Sequence, residues 1–157
     1  MDFFKAMDVA ASGMTAERFR MDVISENIAN VNTTSTVSGE PYRKKFAVIT
    51  PYDEPEFIVP AALNNDDSDN QFIGSGVQIE GVMEDTSSDF KYVYDPDNPS
   101  AIKNGKMKGY VAMPNVNIIT EMTNMIAASR GYEANVSSVQ TAKQIAQKAL
   151  EIGKGGF

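Results

Sequence analysis

Carboxylates supply most of the chemistry that this sequence could perform. The 157 residues include 21 Asp and Glu but no Cys, His or Trp. A thiol nucleophile, an imidazole base, a disulfide and a cysteine or histidine metal site are therefore excluded. A small hydrolase that uses two carboxylates, for example on cell-wall glycan, stays open as an alternative, because that mechanism needs only one desolvated acid and one ionised partner. The absence of Trp makes a sugar-stacking cleft less favourable.

Three short clusters could bind an ion or a polymer, and each has a simpler interpretation. Asp66, Asp67 and Asp69 invite a calcium hypothesis, but the glycine and the final glutamate of an EF-hand are missing at their positions. The Gly-Ser-Gly run at 74–76 leads into a strand pattern, which favours a tight turn over a phosphate loop. The basic run at 43–45 is interpreted as a solvated strand edge. The sequence therefore predicts no cofactor, no metal site and no small-molecule substrate.

Charge is distributed unevenly along the chain. The formal net charge is −7, and residues 53–95 hold 11 acids and a single base, Lys91. An acidic balance disfavours binding to nucleic acid or to an anionic membrane. The chain has no apolar run long enough to suggest a transmembrane helix. Asp8 interrupts the apolar stretch near the N-terminus, so we expect no cleaved secretion signal.

The first 31 residues carry a helical pattern. Met7, Met14, Met21 and Ile28 recur every seven residues, and no proline interrupts residues 3–31. This spacing predicts an amphipathic helix about 44 Å long. The side chains expected to contact other helices in the assembly interface between subunits are Met14, Met21, Ile24, Asn27, Ile28, Asn30 and Val31.

Two amides near the end of this helix have two possible roles. Asn27 and Asn30 are three residues apart and so share a helix face. They could be exposed to solvent near the helix end. Alternatively, one or both could lie in a helical interface and fix its register, as polar residues do in coiled coils.

The middle of the chain, residues 32–116, reads as short strands and loops. Strands are predicted at 42–50, at 77–84 with a bulge at Gly81, and at 90–94. Between the first two lies an acidic, proline-containing stretch at 52–71, which is expected to form an exposed loop. We therefore predict a small β-rich domain that can bury only a small core.

Residues 117–157 carry a second helical pattern. Asn117 is a suitable N-cap, and the pattern runs to Ile152 before Gly153, which predicts the C-terminal end there. The helix would be about 52 Å long. The side chains expected to contact other helices in the assembly interface between subunits are Met122, Met125, Tyr132, Val136, Val139, Ala146 and Leu150.

The two terminal helices are too long for the small middle to cover. The expected fold is therefore α+β, in which residues 1–31 and 117–157 pack as a coiled-coil core and residues 32–116 form the β-rich domain. A pair of helices still leaves apolar surface exposed, and such surface normally marks an interface. The residues alone thus predict a subunit that completes its core by assembly.

Specific motifs then resemble one protein family. ASGMTA at 11–16 and DVISENIANVNT at 22–33 are similar to the N-terminal signature of bacterial flagellar rod and hook proteins, and EMTNMIAASRGYEANV at 121–136 resembles their C-terminal signature. Within the family, GEPYRKK at 39–45, YDPDNP at 94–99 and GYVAMPNVN at 109–117 resemble proximal rod subunits. The Asp-Pro and Met-Pro-Asn motifs argue against a sister rod subunit, the other alternative.

The resemblance implies a structural protein rather than an enzyme. Rod subunits are exported without a cleaved signal peptide by the flagellum-specific type III apparatus. They assemble helically around the export channel in the basal body, within the cell envelope, and the assembled rod transmits torque. The implied partners are copies of the chain, other rod proteins and the export apparatus, with basal-body ring proteins as further candidates. The absence of Cys also avoids cross-linking during export.

Overall fold

The computed structural model describes residues 3–52 and 76–154. Most of the acidic stretch predicted at 52–71 lies outside these ranges, as do Asp66, Asp67 and Asp69 and the first two residues of the Gly-Ser-Gly run. The elements follow the order helix, four strands, helix, which confirms the α+β prediction. They are α1 (Phe3–Ala29), β1 (Lys45–Pro51), β2 (Val77–Glu84), β3 (Lys91–Tyr94), β4 (Tyr110–Met113) and α2 (Ile118–Lys154).

The helix ends are set by local hydrogen bonds. At the end of α1, the Asn30 amide donates to the carbonyl oxygen of Glu26 at 2.9 Å, and Val31 lies in the following turn. The predicted N-cap of α2 is confirmed, because Oδ1 of Asn117 accepts from the backbone N of Ile119 at 3.0 Å. The predicted C-terminal end is wrong: α2 continues through Gly153, which does not adopt the left-handed conformation that closes a helix.

Two antiparallel hairpins form the middle of the chain. Strands β1 and β2 pair with each other, and β3 pairs with β4. The predicted bulge is confirmed, because Val48 pairs with Gly81 while Ile49 pairs with Ile79, which leaves Glu80 as the extra residue. Sequence analysis missed β4, a four-residue strand whose Val111 is among the most deeply buried side chains described.

The two helices pack antiparallel through small side chains. Ala10 and Ala16 of α1 and Ala128 of α2 are buried in the core. A β-carbon added at Gly13 would lie 2.8 Å from Nδ2 of Asn135, and one added at Gly131 would lie 3.2 Å from Cδ of Glu17. Each helix therefore has a glycine notch that a longer side chain of the other helix fills. These close contacts fix both the distance between the helices and their register.

Helix α1 also carries the first hairpin. It contacts both β1 and β2. Ser12 anchors the start of β2, since its Oγ accepts from the backbone N of Val77 at 3.1 Å and donates to the carbonyl oxygen of Val9 at 2.7 Å. Gly76 has φ +103° and lies so close to Ser12 that a β-carbon there would clash with Oγ. None of the helices described is long and apolar enough to cross a membrane.

Candidate assembly surface

A buried polar cluster joins α1, β1 and the first turn of α2. Asn27 and Glu121 are each only 1% exposed. The Asn27 Nδ2 donates to the carbonyl oxygen of Lys45 at 2.7 Å and to Oε2 of Glu121 at 3.2 Å. Its Oδ1 accepts from the Lys45 backbone N and from the Tyr42 hydroxyl, both at 2.9 Å. One side-chain amide thus pairs with the backbone of β1 as a neighbouring strand would, while also binding α2.

The basic run at 43–45 neutralises and covers this cluster. The Lys44 ammonium lies 2.7 Å from Oε1 of the buried Glu121, and the Lys45 ammonium lies 2.7 Å from Oε1 of Glu26. The Arg43 guanidinium stacks over the Phe90 ring, 4.4 Å from its centroid. The interpretation of this run as a merely solvated strand edge is therefore wrong, because each of the three cations has a specific partner.

The cluster settles where the two amides near the end of α1 lie. Asn27 is buried and helps to fix the register of α1 against α2 within one subunit. Asn30 is half-buried and bonds locally, accepting from the Thr33 hydroxyl at 3.1 Å in addition to its bond to Glu26. The hydrogen-bonding groups of Asn27 are all used inside the chain, and its place in the assembly interface stays a prediction.

Tyr42 closes the cluster and is itself only 6% exposed to solvent. Burial, reinforced by the nearby carboxylates of Glu26, Glu84 and Glu121, raises the pKa of Tyr42 to about 12 from its usual 10.0. The neutral hydroxyl is the form that donates to Asn27, so the folded state favours it.

We expect the contribution of Tyr42 to stability to disappear in strong alkali. A folded-state pKa above the unfolded value means that the stabilisation is complete below pH 10 and is lost as pH rises from 10 to 12. The free energy of unfolding in urea should therefore favour the native chain over Tyr42→Phe by about 1 kcal/mol at neutral pH. This difference should shrink over that alkaline window. A difference that stays constant up to pH 12 would show that the hydroxyl is not buried as described.

Most of the side chains predicted to contact other helices lie inside the helix pair. Ile24 is buried like Asn27, and most of the others are half-buried. Ile24 is one of the buried apolar side chains that form the core of the subunit. Those half-buried on α1 or in the turn after it are Met14, Met21, Ile28, Asn30 and Val31; those half-buried on α2 are Met125, Val136, Val139 and Ala146.

Three predicted contact residues are exposed, all on α2. They are Met122, Tyr132 and Leu150. Leu150 is exposed because α2 is longer than α1. The pairing of Gly13 with Asn135 and of Asn27 with Glu121 places the first residue of α1 about level with Ile145. The last two turns of α2 therefore extend past its partner helix and have nothing to pack against in the described chain.

Sequence analysis missed an apolar ridge on the outer face of α2. Ile119 and Ile126 are 77% and 61% exposed, and Met122 lies between them. The spacing i, i+3, i+7 puts these three side chains on one face, which points away from the buried Glu121 and Ala128. We call Ile119, Met122 and Ile126 the outer ridge. Ile119 and Ile126 are seven residues apart in the sequence, but the longer row of apolar residues on α2 predicts a different face as the contact surface.

Known proteins resemble this chain at both of its ends and, for full-length relatives, over nearly all of its residues. A family model described as flagella basal body rod protein matches residues 7–35, and one described as flagellar basal body rod FlgEFG protein C-terminal matches residues 107–152. The chain is similar to the flagellar basal-body rod protein FlgC of Borreliella burgdorferi, at 44% identity over 99% of this chain and 100% of the relative. The FlgC proteins of Bacillus subtilis and Salmonella typhimurium are 41% and 36% identical, each over 98% of this chain and 100% of the relative.

Proposed function

Because the chain belongs to the FlgC family of flagellar basal-body rod proteins, we propose that it polymerises helically around the export channel as a proximal rod subunit and transmits torque. It is a structural protein of the basal-body rod and assembles with other rod proteins. Its helical arrangement around the channel and its transmission of torque are the parts that we propose.

The observation that carries this proposal is the outer ridge. Three large apolar side chains on one helix face lie in water in the isolated subunit, although burying each would contribute about 1.5–3 kcal/mol. The subunit's own helix pair leaves them free because they lie on the face of α2 that points away from the buried Glu121 and Ala128. A neighbouring helix that covers the ridge would recover this burial, and repetition of the same contact would generate a helical polymer.

The predicted contact residues divide into two groups under this proposal. Met122, Tyr132 and Leu150, together with Ile119 and Ile126, form the surface that meets neighbouring subunits. The remaining predicted side chains hold the subunit together. The division into a discontinuous helical domain, 1–31 with 117–157, and a β-rich domain at 32–116 belongs to the same proposal, with the cluster around Asn27 as the joint between them.

The proposal includes how the chain reaches its place and with what it interacts. It is exported without a cleaved signal peptide through the flagellar type III apparatus, and it lies in the rod that spans the cell envelope. Its partners are its own copies, other rod proteins, the export apparatus and basal-body ring proteins. No catalytic step is assigned to it.

A direct test compares polymer assembly with hydrolysis. Basal bodies isolated from flagellated cells that make a tagged copy of the chain should contain the tag in the rod, and the purified chain incubated with peptidoglycan should release no soluble glycan. Tag found only outside basal bodies, together with steady glycan release, would replace the structural role with the carboxylate hydrolase.

A further inference from the structure

The far end of the second hairpin carries three exposed lysines together with two exposed apolar side chains. This surface consists of Tyr94 on β3 and of Met107, Lys103, Lys106 and Lys108 in the connection to β4, and we call it the lysine face. Tyr94 is 64% exposed, and the three lysines are all exposed. Among the described residues, none of the three lysines forms an ion pair. The three lysine charges are therefore unpaired within the described chain, although the carboxylates of Asp95 and Asp97 lie in the facing turn of the same hairpin.

The backbone holds the lysine face in a defined shape. The Ile102 backbone N donates to the carbonyl oxygen of Tyr110 at 2.9 Å, and the Gly109 N donates to that of Ile102 at 3.0 Å. Gly109 has φ +83°, and a β-carbon there would lie 2.9 Å from Cε2 of Tyr94. The Tyr94 ring thus rests on the glycine backbone and also contacts the Tyr110 ring edge-on, with 5.2 Å between the centroids. A surface that is already ordered loses little conformational entropy when it binds.

The same chain contains a segment of the complementary chemistry. Residues 53–75 hold six carboxylates and no basic residue, with apolar side chains such as Phe57 and Phe72 between them. Such a segment offers charge for the lysines and apolar groups for Tyr94 and Met107. Opposite charge at this density steers association and fixes which surfaces meet.

The segment and the lysine face are attached at different levels along α1. The two residues that border the segment, Tyr52 and Gly76, are hydrogen bonded to each other at 3.0 Å, and Gly76 lies against Ser12 near the start of α1. The lysine face lies toward the other end of α1, where Ser100 accepts from the Thr34 hydroxyl at 3.4 Å, beyond the end of the helix. From Ser12 to the end of α1 is about 26 Å along the helix axis.

We propose that the lysine face of one copy binds the acidic segment, residues 53–75, of the next copy in a head-to-tail contact. The inference rests on the self-assembly proposed above. Strand β1 runs from the level of Asn27 to that of Ser12, so the chain enters the segment while moving away from its own lysine face. Two different complementary surfaces at different levels form a heterologous contact, which repeats along a polymer instead of closing a dimer.

The test uses the absence of native Cys. One full-length copy carries Lys106→Cys, a second with a different tag carries Asp67→Cys, and the two are mixed under mild oxidation. We expect the mixed disulfide to form at least about fivefold faster than with a matched Asp89→Cys partner, an exposed acid outside the segment. Raising the salt from about 0.05 to 0.5 M should remove most of this advantage, because salt screens exposed charges.

Two results would overturn the inference. The first is a mixed disulfide that forms no faster than the Asp89→Cys control at low salt. The second is a Lys106→Cys/Asp67→Cys double variant that closes within one chain faster than the mixed pair joins, since the segment would then cover its own lysine face. Either result, with the native chain still present in isolated rods, removes this contact and leaves the proposed function standing. Absence of the native chain from rods would remove both.

Discussion

Replacing Asn27 with aspartate is expected to remove a large part of the stability of the subunit, although the two side chains have nearly the same shape. The change removes the amide donor to Lys45 and to Glu121. It also places a second carboxylate beside Glu121, which has Lys44 as its single cationic partner among the described residues. An unpaired buried charge costs about 3–5 kcal/mol, and a domain of this size has only about 5–15 kcal/mol of stability.

The measurement is the free energy of unfolding in urea, followed by circular dichroism at neutral and mildly acidic pH. The deficit should shrink as pH falls, because protonation of the introduced aspartate relieves the repulsion and restores a donor. The matched control is Asn30→Asp, three residues along the same helix, where the amide makes an exposed bond to the end of α1. That control should cost less than about 1 kcal/mol, the usual size of a charge effect at a helix terminus.

A second variant separates charge from simple misfit. Glu121→Gln in the Asn27→Asp background leaves one carboxylate and one amide between the two positions, as in the native chain. The double variant should therefore be more stable than the sum of the two single effects predicts. Strict additivity, or an Asn27→Asp variant as stable as Asn30→Asp, would show that Asn27 does not hold the helices together.

The sequence predicted the elements well because their signals are local. The seven-residue repeat that includes Met14 and Met21 specifies a long helix whatever it packs against, and Asn117 caps α2 through its own backbone. Gly81 likewise indicates the bulge from its own position in the strand. Strand β4 was missed because its four residues are all apolar, so it lacks the alternating pattern that identified the equally short β3.

The partners of each side chain could not be predicted in the same way. Asn27 meets Lys45 and Glu121, which are 18 and 94 residues away, and no local pattern encodes such a meeting. Apolar spacing identifies a face that avoids water, but it does not distinguish a helix of the same chain from a helix of the next. Large residues on one row of α2 proved to face outward, while alanine and glycine, weak signals of burial, form the helix–helix contact.

A charge on the outer ridge is expected to abolish assembly without harming the folded subunit. Ile126→Asp places a carboxylate on a side chain that is 61% exposed, so the isolated chain should lose less than about 0.5 kcal/mol of stability. In a polymer, the ridge is covered, and the same carboxylate would be buried without a partner at every repeat of the contact. Cells with this variant should export the protein and fail to swim.

The measurements are swimming, the amount of exported subunit and the thermal unfolding of the purified chain. The matched control is Thr120→Asp, an exposed position one residue from Ile119 but about 100° around the helix, and it should swim normally. Val139→Asp is a contrasting case: Val139 is half-buried within the helix pair, so it should lower the stability of the monomer itself. Normal swimming by Ile126→Asp would contradict the outer ridge as a contact between subunits. Loss of export instead of assembly would assign Ile126 to recognition by the secretion apparatus, because the ridge would then be used before the rod exists.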